Sequence, residues 1–305
     1  MNRLADRLSS GDSRALARAA SFVENRTEAG RNLIKDLFPY TGRAAVIGVT
    51  GAPGVGKSSL VNSMIRILRA KAKTVAVIAV DPTSPFSHGA ILGDRVRMEE
   101  HYADAGVFIR SMATRGQLGG LGPATLELAM LADAAGFDFV MIETVGVGQD
   151  EIEVGDSADV TIVVLAPGFG DDVQALKAGV MEIADIFAIN KADLSGAEKL
   201  EQELRMMQSL GAKTSQEDEV PICQVVAIEN RGVEDLLTTI LQVHSKAGRS
   251  ALQADVWERR IQTQLRERLV LEIPQSAIRE CALAVAERRT DPFTALDSLS
   301  ALLRQ

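Results

Sequence analysis

The stretch Gly51-Ala-Pro-Gly-Val-Gly-Lys-Ser-Ser59 decides the fold of this chain. It matches the phosphate-loop pattern G-x-x-x-x-G-K-[S/T], and its setting matters as much as its letters. The apolar, β-branched run 44–50 precedes it, and apolar residues at helical spacing follow it over 60–68. A strand, a glycine-rich loop and a helix therefore come in the required order, and we expect this segment to hold phosphates.

The residue types in this loop suit an anion. Its glycines let the backbone turn N–H groups inward, and the positive end of the following helix faces the same point. Lys57 is expected to reach the β- and γ-phosphates of a nucleotide, and the hydroxyl of Ser58 is expected to bind Mg²⁺. The predicted phosphate-binding residues are Gly51, Ala52, Pro53, Gly54, Val55, Gly56, Lys57, Ser58 and Ser59.

Apolar strand candidates alternate with helical patterns from residue 44 to about 246. This alternation predicts an α/β fold, a P-loop NTPase with a mostly parallel central sheet covered on both faces. The expected strands are 44–50, 75–80, 107–110, 138–142, 160–166, 185–189 and 222–226. The expected helices are 58–70, 95–103, 123–135, 171–181, 197–210 and 232–245. Ligands of such sheets bind beyond the carboxyl ends of the strands.

Polar residues end three of the predicted strands at that edge, namely Asp81, Glu143 and Asn190. Each alone is better explained by a turn or a helix cap. Together, beside a phosphate loop, they favour a Mg²⁺ site, because Mg²⁺ prefers oxygen ligands. Asp94, in the loop that follows Asp81, is a further candidate Mg²⁺ or water ligand, although a helix N-cap explains it nearly as well.

The segment Asn190-Lys-Ala-Asp193 matches N-K-x-D at a strand end. In this pattern the Asp193 carboxylate accepts hydrogen bonds from N1–H and the 2-amino group of guanine, which adenine lacks, so we expect GTP to be preferred over ATP. Lys191 is expected to lay its aliphatic stem over the base, and Asn190 to brace neighbouring loops. The Ala227 N–H is expected to meet guanine O6, although the segment lacks the usual Ser before Ala.

The segment Glu143-Thr-Val-Gly146-Val-Gly-Gln149 combines a strand-end carboxylate with a glycine. We expect the Gly146 N–H to meet the γ-phosphate, so that hydrolysis removes a contact that holds the loop. Val147 stands where a Ras-type GTPase has its catalytic glutamine. Slow intrinsic turnover that a partner raises is therefore expected.

Helical segments flank the nucleotide-binding region. Residues 1–40 predict helices separated at Ser10-Gly-Asp-Ser13, and apolar stripes predict further helices over 248–305. We expect an N-terminal helical extension, 1–40, a P-loop GTPase domain, 41–247, and a C-terminal helical arm, 248–305. The stripes of the arm can be buried on the core, on a second copy or on another protein, and the sequence leaves these choices open.

Composition argues against several classes of protein. The 305 residues carry a net charge of −8 with scattered basic residues, which argues against nucleic acid as the main partner. Cys223 and Cys281 lie far apart without metal-ligand spacing, so a reduced, cytoplasmic compartment is expected. No apolar run approaches the roughly 20 residues that a membrane span requires, so no membrane partner is expected.

Several segments together resemble the MeaB/ArgK family of GTPases that accompany methylmalonyl-CoA mutase. The resemblance covers nearly the whole chain. Besides the phosphate loop and the N-K-x-D segment, it rests on Asp81-Pro-Thr-Ser-Pro85, Ile91-Leu-Gly-Asp-Arg-Val-Arg-Met98, Glu143-Thr-Val-Gly-Val-Gly-Gln149 and Pro167-Gly-Phe-Gly-Asp-Asp172.

The resemblance implies a homodimeric GTPase chaperone that gates loading of adenosylcobalamin onto the mutase, or onto a related cobalamin-dependent acyl-CoA mutase, and protects or reactivates it. It also implies a C-terminal dimerisation arm over 250–305 and a loop that responds to the mutase. That loop holds Asp171, Asp172, Gln174 and Lys177. By position, the family's phosphate, metal and hydrolysis residues match Lys57, Asp81, Asp94 and Glu143.

The expected reaction is hydrolysis of GTP to GDP by in-line attack of water on the γ-phosphate, with Lys57 neutralising the developing charge. Mg²⁺ would be held by Ser58 and by Asp81, Asp94 or Glu143. Three alternatives stay open. They are a kinase that transfers the γ-phosphate of GTP or ATP to an acceptor, a scaffold that binds GTP without hydrolysing it, and a transport-associated ATPase.

Overall fold

The computed structural model of the chain divides into two compact units, Met1–Gly248 and Arg249–Gln305. It describes residues 7–8, 12–81, 98–113, 122–144, 154–155, 157–168, 182–210, 219–246, 257–258, 261–262, 265–266, 269–270 and 272–303. Within these ranges, no helix has the length and apolar character needed to cross a bilayer.

Among the described residues, seven parallel strands form the centre of the first unit. They are β1 (Ala45–Thr50), β2 (Val75–Asp81), β3 (Val107–Ala113), β4 (Phe139–Glu143), β5 (Val160–Leu165), β6 (Ile186–Ile189) and β7 (Ile222–Gln224). The structure confirms every strand predicted above. Every residue of β4, β5 and β6 is buried, as expected for parallel strands covered on both faces.

The strand order, β3-β2-β4-β1-β5-β6-β7, places β1 between β4 and β5. Val49 near the end of β1 lies beside Glu143 on one side and Ile162 on the other. The chain leaves β1 towards β2 and only later builds the opposite half of the sheet from β5 onwards. Ligands bind where the strand order reverses in this way, at the carboxyl ends of the strands.

Eight α-helices have both ends within the described residues. They are α1 (Ser13–Glu24), α2 (Glu28–Leu37), α3 (Lys57–Ala70), α4 (Gly122–Ala134), α5 (Ala197–Leu210), α6 (Val233–Lys246), α7 (Gln275–Ala286) and α8 (Pro292–Leu302). The helices predicted at 58–70, 123–135, 197–210 and 232–245 are confirmed to within one residue at each end. The helix predicted at 171–181 lies outside the described residues.

The α-helix predicted over 95–103 is wrong for the part that the structure describes. Residues 98–103 contain only the short 3-10 helix Glu99–His101. Asp104 ends the helical turn because its carboxylate accepts hydrogen bonds from the Gly106 N–H and from Arg69, both at 2.8 Å. These contacts turn the chain into β3 before an α-helix can extend.

Two apolar clusters sandwich the sheet. Side chains of α3 and α6 pack on one face, and side chains of α1, α2 and α4 pack on the other. Asp12 begins α1 as an N-cap, accepting from the Arg14 and Ala15 N–H groups at 3.0 Å each. The N-terminal helices thus share the core of the first unit. A third cluster packs α5 against β5 and β6.

The second unit is helical, as its apolar stripes predict. The Asp291 side chain caps α8 by accepting from the N–H groups of Phe293 and Thr294 at 2.9 and 3.0 Å. Several large apolar side chains of this unit remain exposed, Phe293 at 79% and Leu296 at 60% among them.

Candidate nucleotide-binding site

The loop between β1 and α3 depends on glycines with left-handed backbone, and Gly51 and Gly56 also lie too close to neighbouring groups for a side chain. Gly51 has φ +138° and Gly56 has φ +96°, which is left-handed backbone that other residues rarely adopt. A Cβ on Gly51 would lie 2.1 Å from the Val164 carbonyl oxygen. A Cβ on Gly56 would lie 2.3 Å from Nδ2 of Asn190. The two glycines therefore let the loop lie against β5 and the N-K-x-D segment.

The start of α3 is suited to an anion. Its N-cap is Gly56, which has no side chain to accept from the first-turn N–H groups. Helices α1, α2 and α8 differ, because the side chains of Asp12, Thr27 and Asp291 cap them. The N–H groups of the first turn of α3 and the positive end of its dipole thus point into the loop without a capping side chain.

Lys57 lies across this loop. Its side chain is nearly buried, with the residue 6% exposed, and Nζ donates to the carbonyl oxygens of Gly51 at 2.7 Å and Ala52 at 3.0 Å. The ammonium is therefore held inside the curve of the loop, where phosphate oxygens would meet it.

Ser58 and Glu143, two of the predicted metal ligands, are in direct contact. The Ser58 hydroxyl donates to Oε1 of Glu143 at 2.6 Å, and the residues are 6% and 2% exposed. Glu143 reaches this point because it ends β4, the strand beside β1. Buried oxygen atoms from a hydroxyl and a carboxylate match the ligands that Mg²⁺ prefers.

The other residues predicted to bind the metal, contact the γ-phosphate or respond to the mutase are only partly described. Asp81 ends β2 at the same edge of the sheet, two residues beyond Ala79, which pairs with Glu143. Among the residues that the structure describes, no group of three or more His, Cys, Asp and Glu side chains is arranged to hold a metal ion. The predicted residues Asp94, Gly146, Asp171, Asp172, Gln174 and Lys177 lie outside the described residues.

Asn190 joins the phosphate loop to the loop after β7. Its Nδ2 donates to the Val55 carbonyl oxygen at 2.9 Å, and its Oδ1 accepts from the Ala227 N–H at 3.1 Å. Asn190 is 3% exposed and so makes these contacts away from water. It braces neighbouring loops as expected. The predicted contact of Ala227 with guanine O6 would have to share an N–H that Asn190 already engages.

Lys191 and Asp193 stand next to this brace. Lys191 has φ +56°, uncommon for a residue with a side chain, and its Nζ donates to the Gly54 carbonyl oxygen at 2.8 Å. Its aliphatic stem therefore spans from the N-K-x-D segment to the phosphate loop. Asp193 is exposed, so its side chain is accessible to a ligand.

Two further residues tie these parts together, and the sequence motifs do not include them. The Ser63 hydroxyl, on the buried side of α3, donates to Oδ1 of Asn230 at 2.6 Å. Asn230 follows the short helix that begins at Ala227 and has φ +56°. The sequence carries little sign of this hydrogen bond, because Asn230-Arg-Gly232 indicates only a turn.

Comparison with known proteins shows the family to which this chain is similar. The family described as methylmalonyl Co-A mutase-associated GTPase MeaB matches residues 16–280. A protein of Pyrococcus abyssi that is named as a GTPase is 41% identical over 309 residues, covering 98% of this chain and 95% of its own length. GTPase ArgK of Escherichia coli is 33% identical over 314 residues, covering 98% and 95%. A crystal structure of LAO/AO transport system kinase superposes with a TM-score of 0.71 and 28% identity, covering 100% of this chain and 97% of that one.

Proposed function

This chain belongs to the MeaB family of methylmalonyl-CoA mutase-associated GTPases, and on that premise we propose that it hydrolyses GTP to GDP and phosphate. One observation carries the proposal. Asn190 holds the phosphate loop through Val55 and the loop after β7 through Ala227, at 2.9 and 3.1 Å. The groups expected to bind phosphates and the groups expected to recognise guanine therefore belong to one site.

The phosphate side of this site is built to stabilise negative charge. The N–H groups at the start of α3 would hold the β-phosphate, and Lys57 would transfer its hydrogen bonds from the loop carbonyls to the phosphate oxygens. Charge that develops on those oxygens as the bond to the γ-phosphate breaks is then met by a fixed cation and fixed dipoles.

The residues present also fit a magnesium ion. Bound Mg²⁺ would supply further neutralisation of charge on the β- and γ-phosphates. Ser58 would hold it through Oγ, and Glu143, 2.6 Å from that hydroxyl, would orient the hydroxyl or a water molecule beside it. Asp81 and Asp94 remain proposed as further carboxylates of this centre, and Gly146 as a γ-phosphate contact.

Asp193 is proposed to select guanine. In calorimetry with GTP, ATP and XTP, we expect the unmodified chain to prefer GTP by about 100-fold or more, because adenine leaves the carboxylate without its N–H donors. Asp193→Asn should shift the preference towards XTP, since the amide donates to the C2 carbonyl of xanthine. Glu198→Gln, an exposed change on α5, is the matched control and should change nothing. Equal binding of ATP and GTP by the unmodified chain would overturn the proposal.

The client is proposed to be methylmalonyl-CoA mutase or a related cobalamin-dependent acyl-CoA mutase. The description of the family supports this, and the residues proposed to respond to the client are Asp171, Asp172, Gln174 and Lys177. In this role the protein is a chaperone that assists adenosylcobalamin loading, protection or reactivation. A pull-down in each nucleotide state, followed by GTPase rates with the recovered enzyme, tests it. No nucleotide-dependent partner, or no change in rate, would count against it.

A homodimer joined through the C-terminal helices is also proposed. The exposed Phe293 and Leu296 on α8 are apolar surface that a second copy would cover. Light scattering of the full chain should give twice the monomer mass, and Phe293→Glu should lower it.

A kinase is the second candidate, because the similar solved structure carries that word in its name. The two functions differ in where the γ-phosphate goes. With GTP labelled in that phosphate, a GTPase releases labelled inorganic phosphate, whereas a kinase produces a labelled acceptor.

A further inference from the structure

A buried hydrogen bond joins α3, the helix that follows the phosphate loop, to the loop after β7. This base-side loop, residues 226–231, contains Ala227, which is predicted to meet guanine O6. Ser63 lies on α3, its hydroxyl donates to Oδ1 of Asn230 at 2.6 Å, and the residue is 1% exposed. The phosphate-loop and N-K-x-D motifs include neither residue. The bond nevertheless connects the two halves of the proposed site.

Asn230 belongs to a short, closed loop. Val226 and Arg231 exchange backbone hydrogen bonds at 2.9 and 3.3 Å, and the Asn230 N–H donates to the Ala227 carbonyl at 3.3 Å. Asn230 has φ +56°, a conformation that asparagine tolerates better than most residues. These hydrogen bonds hold residues 226–231 together, and the Asn230 side chain fixes this loop to α3.

The same loop contains Ala227, the residue predicted to lie near guanine O6. Asn190 holds it from the phosphate loop through the Ala227 N–H. Ser63 holds it through Asn230 from α3, the helix that begins at Lys57. Two independent contacts thus set the distance between the base-side loop and the phosphate-binding groups.

We propose that Ser63 and Asn230 are positioning residues that slow the release of bound guanine nucleotide. This inference rests on the proposed function. Without the bond, the loop carrying Ala227 gains freedom that nucleotide binding must remove, and that entropic cost weakens binding. Lys57 and Glu143, the groups proposed to act at the γ-phosphate, hydrogen-bond to Gly51, Ala52 and Ser58. Hydrolysis of nucleotide already bound should therefore change less than its release.

Displacement of a fluorescent GDP analogue from the full chain, followed by stopped flow, tests the inference. Ser63→Ala removes the donor. Asn230→Gly removes the acceptor while keeping the backbone, because glycine adopts φ +56° readily. Asn230→Asp keeps an oxygen acceptor and should restore the bond. The control is Thr238→Ala, which loses a hydroxyl hydrogen bond of 3.0 Å at an exposed position of α6.

We expect Ser63→Ala and Asn230→Gly each to speed release about 3- to 10-fold, the change that corresponds to one intramolecular hydrogen bond. The double variant should release no faster than either single variant, because both changes remove the same bond. Asn230→Asp and Thr238→Ala should release at the unmodified rate. Single-turnover hydrolysis of bound GTP should stay within about twofold in every variant.

Other outcomes separate the two proposals. Release at the unmodified rate in both single variants, or additive effects in the double variant, would overturn the positioning role while the proposed function stands. If the unmodified chain fails to bind the GDP analogue at all, the proposed function fails first.

Discussion

The two edges of the central sheet use carboxylates differently. At the edge formed by the amino ends of the strands, aspartates accept hydrogen bonds from backbone N–H groups. At the carboxyl edge, Glu143 instead accepts from the Ser58 hydroxyl at 2.6 Å. The pairs at the amino edge are Asp138 with Thr74 at 2.8 Å, Asp159 with Val46 at 3.0 Å, Asp185 with Thr161 at 2.7 Å and Asp133 with Ala44 at 2.8 Å.

The difference follows from the direction of parallel strands. At their amino ends the main-chain groups left outside the ladder include N–H donors, which a nearby carboxylate satisfies. At their carboxyl ends the main chain offers carbonyl oxygens, which repel a carboxylate. A carboxylate there is directed towards hydroxyl groups and, on our proposal, a cation. Carboxylates are thus structural at the amino edge, and on our proposal Glu143 has a chemical role at the carboxyl edge.

The largest expected effect compares two glycines with similar backbone angles at opposite edges. Gly56 has φ +96° and Gly42 has φ +90°, but only at Gly56 would a Cβ meet another group. Gly56→Ala should lower GTP affinity by about 100-fold or more, because it pushes Asn190 away and misplaces the loop. Titration of the variant with a fluorescent GTP analogue measures this.

Gly42→Ala is the control for backbone strain alone. We expect it to cost about 1–2 kcal/mol of unfolding free energy and to leave GTP affinity unchanged. Equal losses of affinity in the two variants would show that strain, rather than contact with Asn190, makes glycine necessary.

The second comparison sets Glu143 against Asp138. Glu143→Gln keeps an oxygen for the Ser58 hydroxyl but removes the charge, so we expect GTP turnover to fall about 10- to 100-fold without loss of stability. Asp138→Asn should leave turnover unchanged and lower the unfolding free energy by about 1 kcal/mol. Steady-state rates and urea unfolding of both variants measure this, and a reversed pattern would contradict the assignment of the two edges.

The smallest expected effects are changes in stability, and they differ in sign between two aspartates of the amino edge. Burial raises the pKa of Asp185 above its ordinary 3.8, and the Thr161 N–H opposes this only in part. Burial also acts to raise the pKa of Asp138, but hydrogen bonds from Thr74 and Lys73 outweigh it and bring that pKa below 3.8. Near neutral pH, Asp185→Asn should therefore raise stability slightly, whereas Asp138→Asn lowers it.

The pH dependence of the unfolding free energy shows whether each aspartate stabilises or destabilises the folded chain at a given pH. The stability that Asp138 contributes is present above pH 3.8 and is lost as the pH falls through its lower folded pKa. The contribution of Asp185 is present below pH 3.8 and is lost as the pH rises through its higher folded pKa. Thermal unfolding from pH 3 to 8 follows both, and shifts of the same sign in the two variants at neutral pH would show that the pKa directions are wrong.

Much of the fold could be predicted because its signals are local. The apolar runs of β4 and β5 are buried on both faces, so they stand out as continuous stretches. The glycines at 51 and 56 are required by backbone angles that belong to single residues. Glu143 and Asn190 were found because parallel strands bring their carboxyl ends to one edge.

Other features escaped because they join distant residues. Ser63 and Asn230 are separated by 167 positions, and an isolated serine on the buried side of a helix carries no sign of its partner. Asp133 reaches Ala44 across 89 positions in the same way. The helix predicted over 95–103 is wrong in its described part, 98–103, because Asp104 pairs with Arg69, a contact that helical periodicity does not contain.

The sequence by itself determined the parallel α/β sheet, the phosphate loop and the carboxylate expected to select guanine, because backbone angles, periodicity and strand-end position are properties of short segments. Tertiary structure alone decided which carboxylates serve the backbone, that Ser58 meets Glu143, and that Asn190 and Ser63 hold the base-side loop. Those outcomes depend on side chains that meet only when strands and helices pack, and on the direction in which each strand presents its N–H and carbonyl groups.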